Sequence, residues 1–146
     1  MSSDVPKRSG APSVLVSDRQ STPLPDPLTG DLVRLAERTL EGEGVRGAEL
    51  SLSFVDAGEM ADLHERYLGE VGPTDVLSFA LDEDGLLGDV VVCPAVAAGN
   101  NPDRDAELRL LVVHGTLHLL GYDHELDEDR AVMWAKQEAY SGVRTP

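Results

Sequence analysis

The sequence predicts an α+β fold, in which a small mixed β-sheet packs with about five helices and a buried central helix carries histidines. Two patterns indicate this class. Short segments are β-branched or alternate apolar and polar residues, as strands do, while longer segments repeat apolar residues every three to four positions, as helices do. The two kinds follow one another along the chain, and the last two helices are adjacent. A length of 146 residues suits a single domain.

The first part of the chain contains a leader, a strand and a helix. Residues 1–12 are rich in Ser, Pro, Gly and charge, so we expect a disordered leader before a single domain over residues 13–146. Residues 14–16 are short and β-branched, which predicts a strand. The prolines of residues 21–27 predict a loop, and apolar spacing predicts a helix over residues 31–41.

The middle of the chain supplies the rest of the sheet. Residues 50–55 alternate at period two and predict a strand, with Leu50, Leu52 and Phe54 on one face. Residues 57–68 form an amphipathic helix that Asp56 can cap. Two further strands, over residues 75–80 and 88–93, are expected to pair across an acidic turn.

Two long helices complete the chain, after a short helical turn at residues 95–98. The first is apolar nearly all round, which predicts a buried helix over residues 101–120 that begins at Asn101. The second is a closing helix over residues 127–140. Its inward face is predicted to contain Ala131, Trp134 and Tyr140.

Three of the four histidines lie within the central helix and the turn after it. His114 and His118 are four residues apart and therefore share one helix face. Gly121 can end the helix and return the chain, so that His124 approaches the same point. Three neutral imidazoles with an open fourth position are the usual ligands of a catalytic zinc ion. We predict one zinc ion per chain, although imidazole also suits other divalent transition metals.

Two other interpretations of the histidines carry less weight. Single hydrogen-bonded core histidines are common, but two at helical spacing and a third past a glycine are not. The same spacing occurs in the metzincin peptidases, where a Glu after the first His is the general base. Gly115 stands at that position here.

Asp123, beside the third histidine, either orients a ligand or bonds its own backbone as a turn residue.

The segment HGTLHLLGYDH, residues 114–124, resembles the H-G-x-L-H-L-x-G-Y-D-H signature of the YbeY family. GPTDVLSF at residues 72–79 and LGDVV at residues 87–91 are similar to two further family segments, in the same order. The resemblance implies the fold predicted above and a bacterial metal-dependent endoribonuclease. It also implies maturation of ribosomal RNA, with cleavage of single-stranded RNA at the 3′ end of the small-subunit RNA, and ribosome quality control.

The resemblance also bears on the substrate cleft. Because the family motif holds Thr74, Asp75 and Ser78, it implies that they line the cleft, although their chemistry alone predicts a strand-entry turn and an outward strand residue. Most members of the family carry an Arg shortly before this motif. Leu68 stands at that position here, and Arg66 points to another side of the helix.

Charge and composition bound the partners. With 27 acidic and 12 basic residues the net charge is −15, unlike that of a non-specific RNA-binding protein. A metal ion adds local positive charge, and an acidic surface suits the ribosomal small subunit or a basic ribosomal protein. Cys93 is the one cysteine, and no segment has the length and apolarity of a membrane span or signal peptide. These features predict a cytoplasmic protein.

Two alternatives to the endoribonuclease remain open. One is a ribosome-associated assembly factor in which the metal only holds the fold, an interpretation favoured by the acidic surface and by Leu68. The other is a metallohydrolase that uses the same site on a substrate other than RNA.

Overall fold

The computed structural model describes residues 10–83, 85–123 and 125–144. Most of the predicted leader, residues 1–9, lies outside these residues. Gly10, within the predicted leader, is described, and its carbonyl oxygen accepts a hydrogen bond from the amide of Gly47. The elements in chain order are β1 (Ser13–Asp18), α1 (Asp26–Gly42), β2 (Glu49–Phe54), α2 (Ala57–Leu68), β3 (Val76–Glu83), β4 (Leu86–Val92), α3 (Pro94–Asn100), α4 (Arg104–Leu119) and α5 (Asp127–Ser141).

The four strands form one mixed sheet in the order β1-β2-β4-β3. Strands β1, β2 and β4 are parallel to one another. Helix α1 connects β1 to β2, and α2 leads from β2 to the outer strand β3, which pairs antiparallel with β4 across a short turn. Both the α+β class and the predicted pairing of β3 with β4 are confirmed.

Helices cover both faces of the sheet. On one face, α1, α3 and α4 bury the main core, which includes the predicted inward face of β2: Leu50, Leu52 and Phe54 are fully buried there. On the other face, α2 packs through Met60 against a smaller cluster that contains Leu77 and Val91. The sheet is therefore the middle of three layers, although β1 at its edge leaves Leu15 and Val16 exposed.

Helix α4 is buried along most of its length, as its largely apolar sequence predicted. One side packs on the sheet through Leu108 and Val112, and the opposite side packs between α1 and α5 through Val113 and Leu117. Burial on two sides stabilises a helix that is apolar over most of its surface. It also fixes α4 relative to three other elements, so side chains on it are held in place.

Two helix starts differ from prediction. Helix α1 begins at Asp26 rather than at residue 31, because Pro27 falls in the first turn, where a missing amide costs no hydrogen bond. Helix α4 is capped by Asp103, which accepts a hydrogen bond from the amide of Ala106, and not by Asn101. At the start of α2, Asp56 makes no capping bond and instead accepts two hydrogen bonds from Ser21.

The predicted inward face of α5 is wrong. Ala131 and Trp134 are exposed, and Tyr140 is only partly buried. The buried face consists of Met133, Gln137 and Ser141, which follow one another at intervals of four residues. A membrane-spanning helix is not found among the residues that the structure describes.

Candidate metal centre

The last turns of α4 place His114 and His118 on one side of the helix. The two ring centroids are 5.7 Å apart, and the rings are inclined at 74°. His114 is partly buried, whereas His118 is exposed. Zinc–imidazole bonds are about 2.0–2.1 Å long, so one ion can lie between two rings that are this close.

The helix ends as the glycine spacing predicted. Gly121 has a φ of 99° and donates from its amide to the carbonyl of His118. The next amide, that of Tyr122, reaches back to the carbonyl of Leu117. Only glycine adopts such a backbone conformation without strain, and the two bonds turn the chain back over the end of α4.

A buried amide holds His114 from the neighbouring helix. Its Nδ1 atom lies 2.8 Å from Oε1 of Gln137, a residue of α5 that is 3% exposed. An amide oxygen can only accept a hydrogen bond, so Nδ1 carries the proton, and in the neutral ring the lone pair is on Nε2. This is the arrangement in which a histidine binds a metal through Nε2 while a neighbour fixes its ring.

Gly115 allows α4 to lie directly on the sheet beside the histidines. A Cβ atom there would lie 2.5 Å from Cγ1 of Val90 and 3.3 Å from Cγ2 of Val76. The carbonyl of Gly115 also accepts a hydrogen bond of 3.1 Å from Oγ of Ser78. The position that holds the general base of a metzincin peptidase is therefore closed to any side chain.

The candidate cleft residues lie along β3 and the turn before it. Ser78 contacts the histidine helix through Gly115, as described above. Thr74 donates a weak hydrogen bond to Asp75, whose carboxylate also accepts from the amide of Val76 and from Asn100. Ser78 is thus beside the histidines, while Thr74 and Asp75 have bonds that organise the strand entry; their role toward substrate stays a prediction.

The last members of the predicted site lie in the turn after Gly121. Oδ1 of Asp123 accepts a hydrogen bond from the amide of Glu125, as a turn aspartate does. His124 lies outside the described residues. Among the residues that are described, no group of three or more His, Cys, Asp or Glu side chains is arranged to hold a metal. His114 and His118 fit a zinc ion by their chemistry and spacing, and the complete ligand set stays a prediction.

The family's Arg has no replacement at the end of α2. Leu68 is 58% exposed, and the guanidinium of Arg66 is paired with Asp62 one turn earlier, at 2.9 Å. The expectation that Arg66 points away from the site agrees with this pairing.

A carboxylate that was not predicted from the sequence lies enclosed beside the turn. Glu43 follows the end of α1, and its carboxylate accepts hydrogen bonds from Tyr122, from Tyr140 at 2.6 Å and from Lys136 at 3.1 Å. Burial works against the charge of Glu43, but these three bonds outweigh it and lower the pKa of the carboxyl group. Burial, followed by the bond to Glu43, raises the pKa of Tyr140 to about 12. At neutral pH the cluster is therefore one ion pair with two neutral phenols.

Gln137 and Glu43 were not among the residues predicted from the sequence. Gln137 could have been noticed as the one amide in a stripe with Met133 and Ser141, at helical spacing. Glu43 had no comparable signal, because the groups that contact it are about 80 to 97 residues away in sequence.

The chain is similar to known proteins over most of its length. A sequence model of the family described as endoribonuclease YbeY matches residues 17–142. A protein of Thermobifida fusca named endoribonuclease YbeY is 46% identical over 130 residues, which cover 77% of this chain and 84% of that protein. Proteins of the same name from Acidothermus cellulolyticus and Beutenbergia cavernae are 50% and 52% identical, over 62% and 57% of this chain. In both cases the match spans 66% of the relative, slightly less than two thirds.

A solved structure has a similar fold. The solution structure of a protein from Thermotoga maritima superimposes with a TM-score of 0.63 at 30% sequence identity. The superposition covers 88% of this chain and 86% of that protein.

Proposed function

The chain belongs to the endoribonuclease YbeY family, and we propose on this premise that it is a metal-dependent hydrolase that cleaves RNA in ribosomal RNA processing. The observation that carries the proposal is the pair of imidazoles on α4, with His114 held by Gln137 in the tautomer that leaves its lone pair on Nε2. Core histidines that only stabilise a fold do not require two rings on one face beside a chain reversal.

The metal is proposed to be one zinc ion on His114, His118 and, from its position in the sequence, His124. Such an ion supplies Lewis acidity toward a phosphodiester oxygen and toward an attacking hydroxyl group. Gln137 fixes the ring orientation of His114 and holds the proton on Nδ1, and the exposure of His118 leaves one side of the pair open to a substrate. The cleavage products distinguish attack by water from attack by the neighbouring 2′-hydroxyl.

The substrate side of the proposal rests on β3. Ser78 lies against the helix that carries the histidines, and Thr74 and Asp75 precede it at the entry to the strand. We assign these residues to the wall of the RNA cleft, and we assign Asp123 to the orientation of a ligand or of the attacking group. Gly115 excludes the carboxylate base of a peptidase, which favours phosphodiester over peptide chemistry.

The RNA is proposed to be single-stranded, from the 3′ end of the small-subunit ribosomal RNA, with a further role in ribosome quality control. A net charge of −15 disfavours binding to RNA in general. It suits a cytoplasmic protein that the ribosomal small subunit or a basic ribosomal protein recruits to the cleavage site.

A second candidate is an assembly factor that binds the ribosome and does not cut RNA, its metal holding the fold. Leu68 in place of the family's Arg favours it, because no guanidinium on α2 then reaches a phosphate. A metallohydrolase on a non-RNA substrate is the remaining alternative. Peptide and ester substrates test for that activity.

The test is cleavage of a single-stranded RNA that carries the 3′ end of the small-subunit RNA. Zinc-loaded protein, chelated protein and zinc-treated His118→Ala are compared at equal concentration. Cutting by the first alone supports the endoribonuclease. Intact RNA with all three, while the first retains bound zinc, contradicts it and favours the assembly factor. Equal cutting by His118→Ala contradicts the assignment of the metal.

A further inference from the structure

The carboxylate of Glu43 joins two segments that lie beside the candidate metal centre. Its side chain is 8% exposed. Tyr122 donates to it from the turn after α4, and Tyr140 and Lys136 donate from α5. An enclosed carboxylate stays charged only if donors surround it, so Glu43 depends on these three side chains.

The surrounding packing leaves this cluster little freedom. A Cβ atom at Gly42 would lie 2.5 Å from the hydroxyl oxygen of Tyr140, so only glycine lets α1 end against that ring. Lys136 lies 5.5 Å from the centre of the Tyr122 ring while its Nζ donates to Glu43. The end of α1 is therefore fixed to both the turn and α5 at one point.

Both segments continue directly to groups of the metal centre. On α5, Lys136 is followed by Gln137, which holds Nδ1 of His114. In the turn, Tyr122 lies between Gly121, which ends the histidine helix, and Asp123, and it precedes His124 by two residues in the sequence. One carboxylate outside the site thus supports the bonding partner of the first ligand and the turn that leads to the third.

We infer that Glu43 is a positioning residue of the metal centre: by bonding Tyr122 and Lys136 at once, it sets the turn after α4 and the Gln137 segment at the distance that one metal ion requires. The inference rests on the metal site of the proposed function. It assigns Glu43 no contact with metal or RNA. Loss of the carboxylate is expected to weaken metal binding by about 10- to 100-fold, the range found when groups that orient metal ligands are removed.

The experiment measures zinc affinity by competition with a chromophoric chelator, and the melting temperature of the metal-free protein, for full-length variants. Glu43→Gln keeps the size of the side chain but removes its charge, and Tyr122→Phe removes the donor in the turn alone. Asp18→Asn is the matched control. Asp18 is a carboxylate that accepts hydrogen bonds from Gln20 and Leu24 at the last residue of β1, whereas the loop that follows Glu43 lies at the first residue of that strand.

The expected result is weaker zinc binding by Glu43→Gln and by Tyr122→Phe. The double variant should bind zinc little more weakly than either single variant, because both substitutions act on the same bond between Tyr122 and Glu43. Asp18→Asn is expected to melt earlier and to bind zinc within about twofold of the unmodified protein, since it touches no part of this connection. The cobalt-loaded Glu43→Gln protein should also show an altered visible spectrum, which a loss of stability alone does not produce.

Failure of this inference differs from failure of the proposed function. If Glu43→Gln binds zinc as tightly as the unmodified protein while His118→Ala does not, the inference is wrong and the metal site stands. If the unmodified protein binds no zinc, or His118→Ala binds it equally well, the proposed site is wrong and the inference falls with it.

Discussion

Nδ1 of His114 and Oε1 of Gln137 are 2.8 Å apart, and the hydrogen bond between them joins α4 and α5, the last two helices of the chain. It determines which nitrogen of His114 carries the lone pair, because the amide oxygen cannot donate. The other nitrogen, Nε2, is the one that the metal assignment requires. A hydrogen bond between α4 and α5 is therefore also a condition for the proposed chemistry.

Removing the acceptor should weaken metal binding more than it weakens the fold. In Gln137→Leu the Nδ1 proton of His114 loses its partner, which costs about 1–3 kcal/mol of stability, and the imidazole loses its fixed orientation. We expect zinc affinity to fall about 10- to 100-fold. Chelator competition and urea unfolding measure the two effects. Met133→Leu, one turn earlier on the same buried face, is the control and should leave zinc affinity unchanged.

The close approach at Gly115 predicts a steric effect. Gly115→Ala brings a methyl group to 2.5 Å from Cγ1 of Val90, so α4 must move from the sheet, at a cost of about 1–3 kcal/mol. Gly99→Ala, on α3, is the matched control: no atom lies within 4 Å of its added methyl group, and helix propensity favours alanine. Denaturant unfolding compares them. Equal stability of the two variants would contradict the packing described here.

Alkaline pH should reveal the Tyr140–Glu43 bond. The pKa of Tyr140 is raised from its ordinary value of 10.0 to about 12, first by burial and then by this bond. Between these values the folded protein keeps a proton that the unfolded chain has lost, so stability present below pH 10 is lost as the pH rises toward 12. Unfolding measured across this range should be less pH-dependent for Tyr140→Phe. An identical slope for both proteins would refute the assignment.

Metal removal should change stability by mass action. Zinc that binds only the folded protein adds about 2.7 kcal/mol to the free energy of unfolding when its free concentration is 100 times the dissociation constant. We expect this gain for the unmodified protein, and little or none for His118→Ala under the same conditions. Thermal melts with buffered zinc and with chelator measure it. A gain that persists in His118→Ala would place the stabilising metal elsewhere.

The sequence predicted the elements whose signal is local. The periodicity of α4, the alternation in β2 and the glycine after His118 each depend on a few neighbouring residues, and all three were found as expected. The inward face of α5 was not, because Trp134 appears suited to burial; in the fold it is 39% exposed, with Arg130 over its ring. The partners of Gln137 and Glu43 lie in distant segments, so the helical spacing could mark Gln137 as buried but could not identify His114 as its partner, and Glu43 had no local signal at all.

The most direct test of the metal assignment is X-ray absorption at the zinc edge of the loaded full-length protein. Ligation by His114, His118 and His124 predicts three imidazole nitrogens at about 2.0–2.1 Å, with any further ligand an oxygen. His124→Ala should lose one of the three, which tests the ligand that lies outside the described residues. A spectrum that contains sulfur, or one that His118→Ala and His124→Ala leave unchanged, would contradict the assignment.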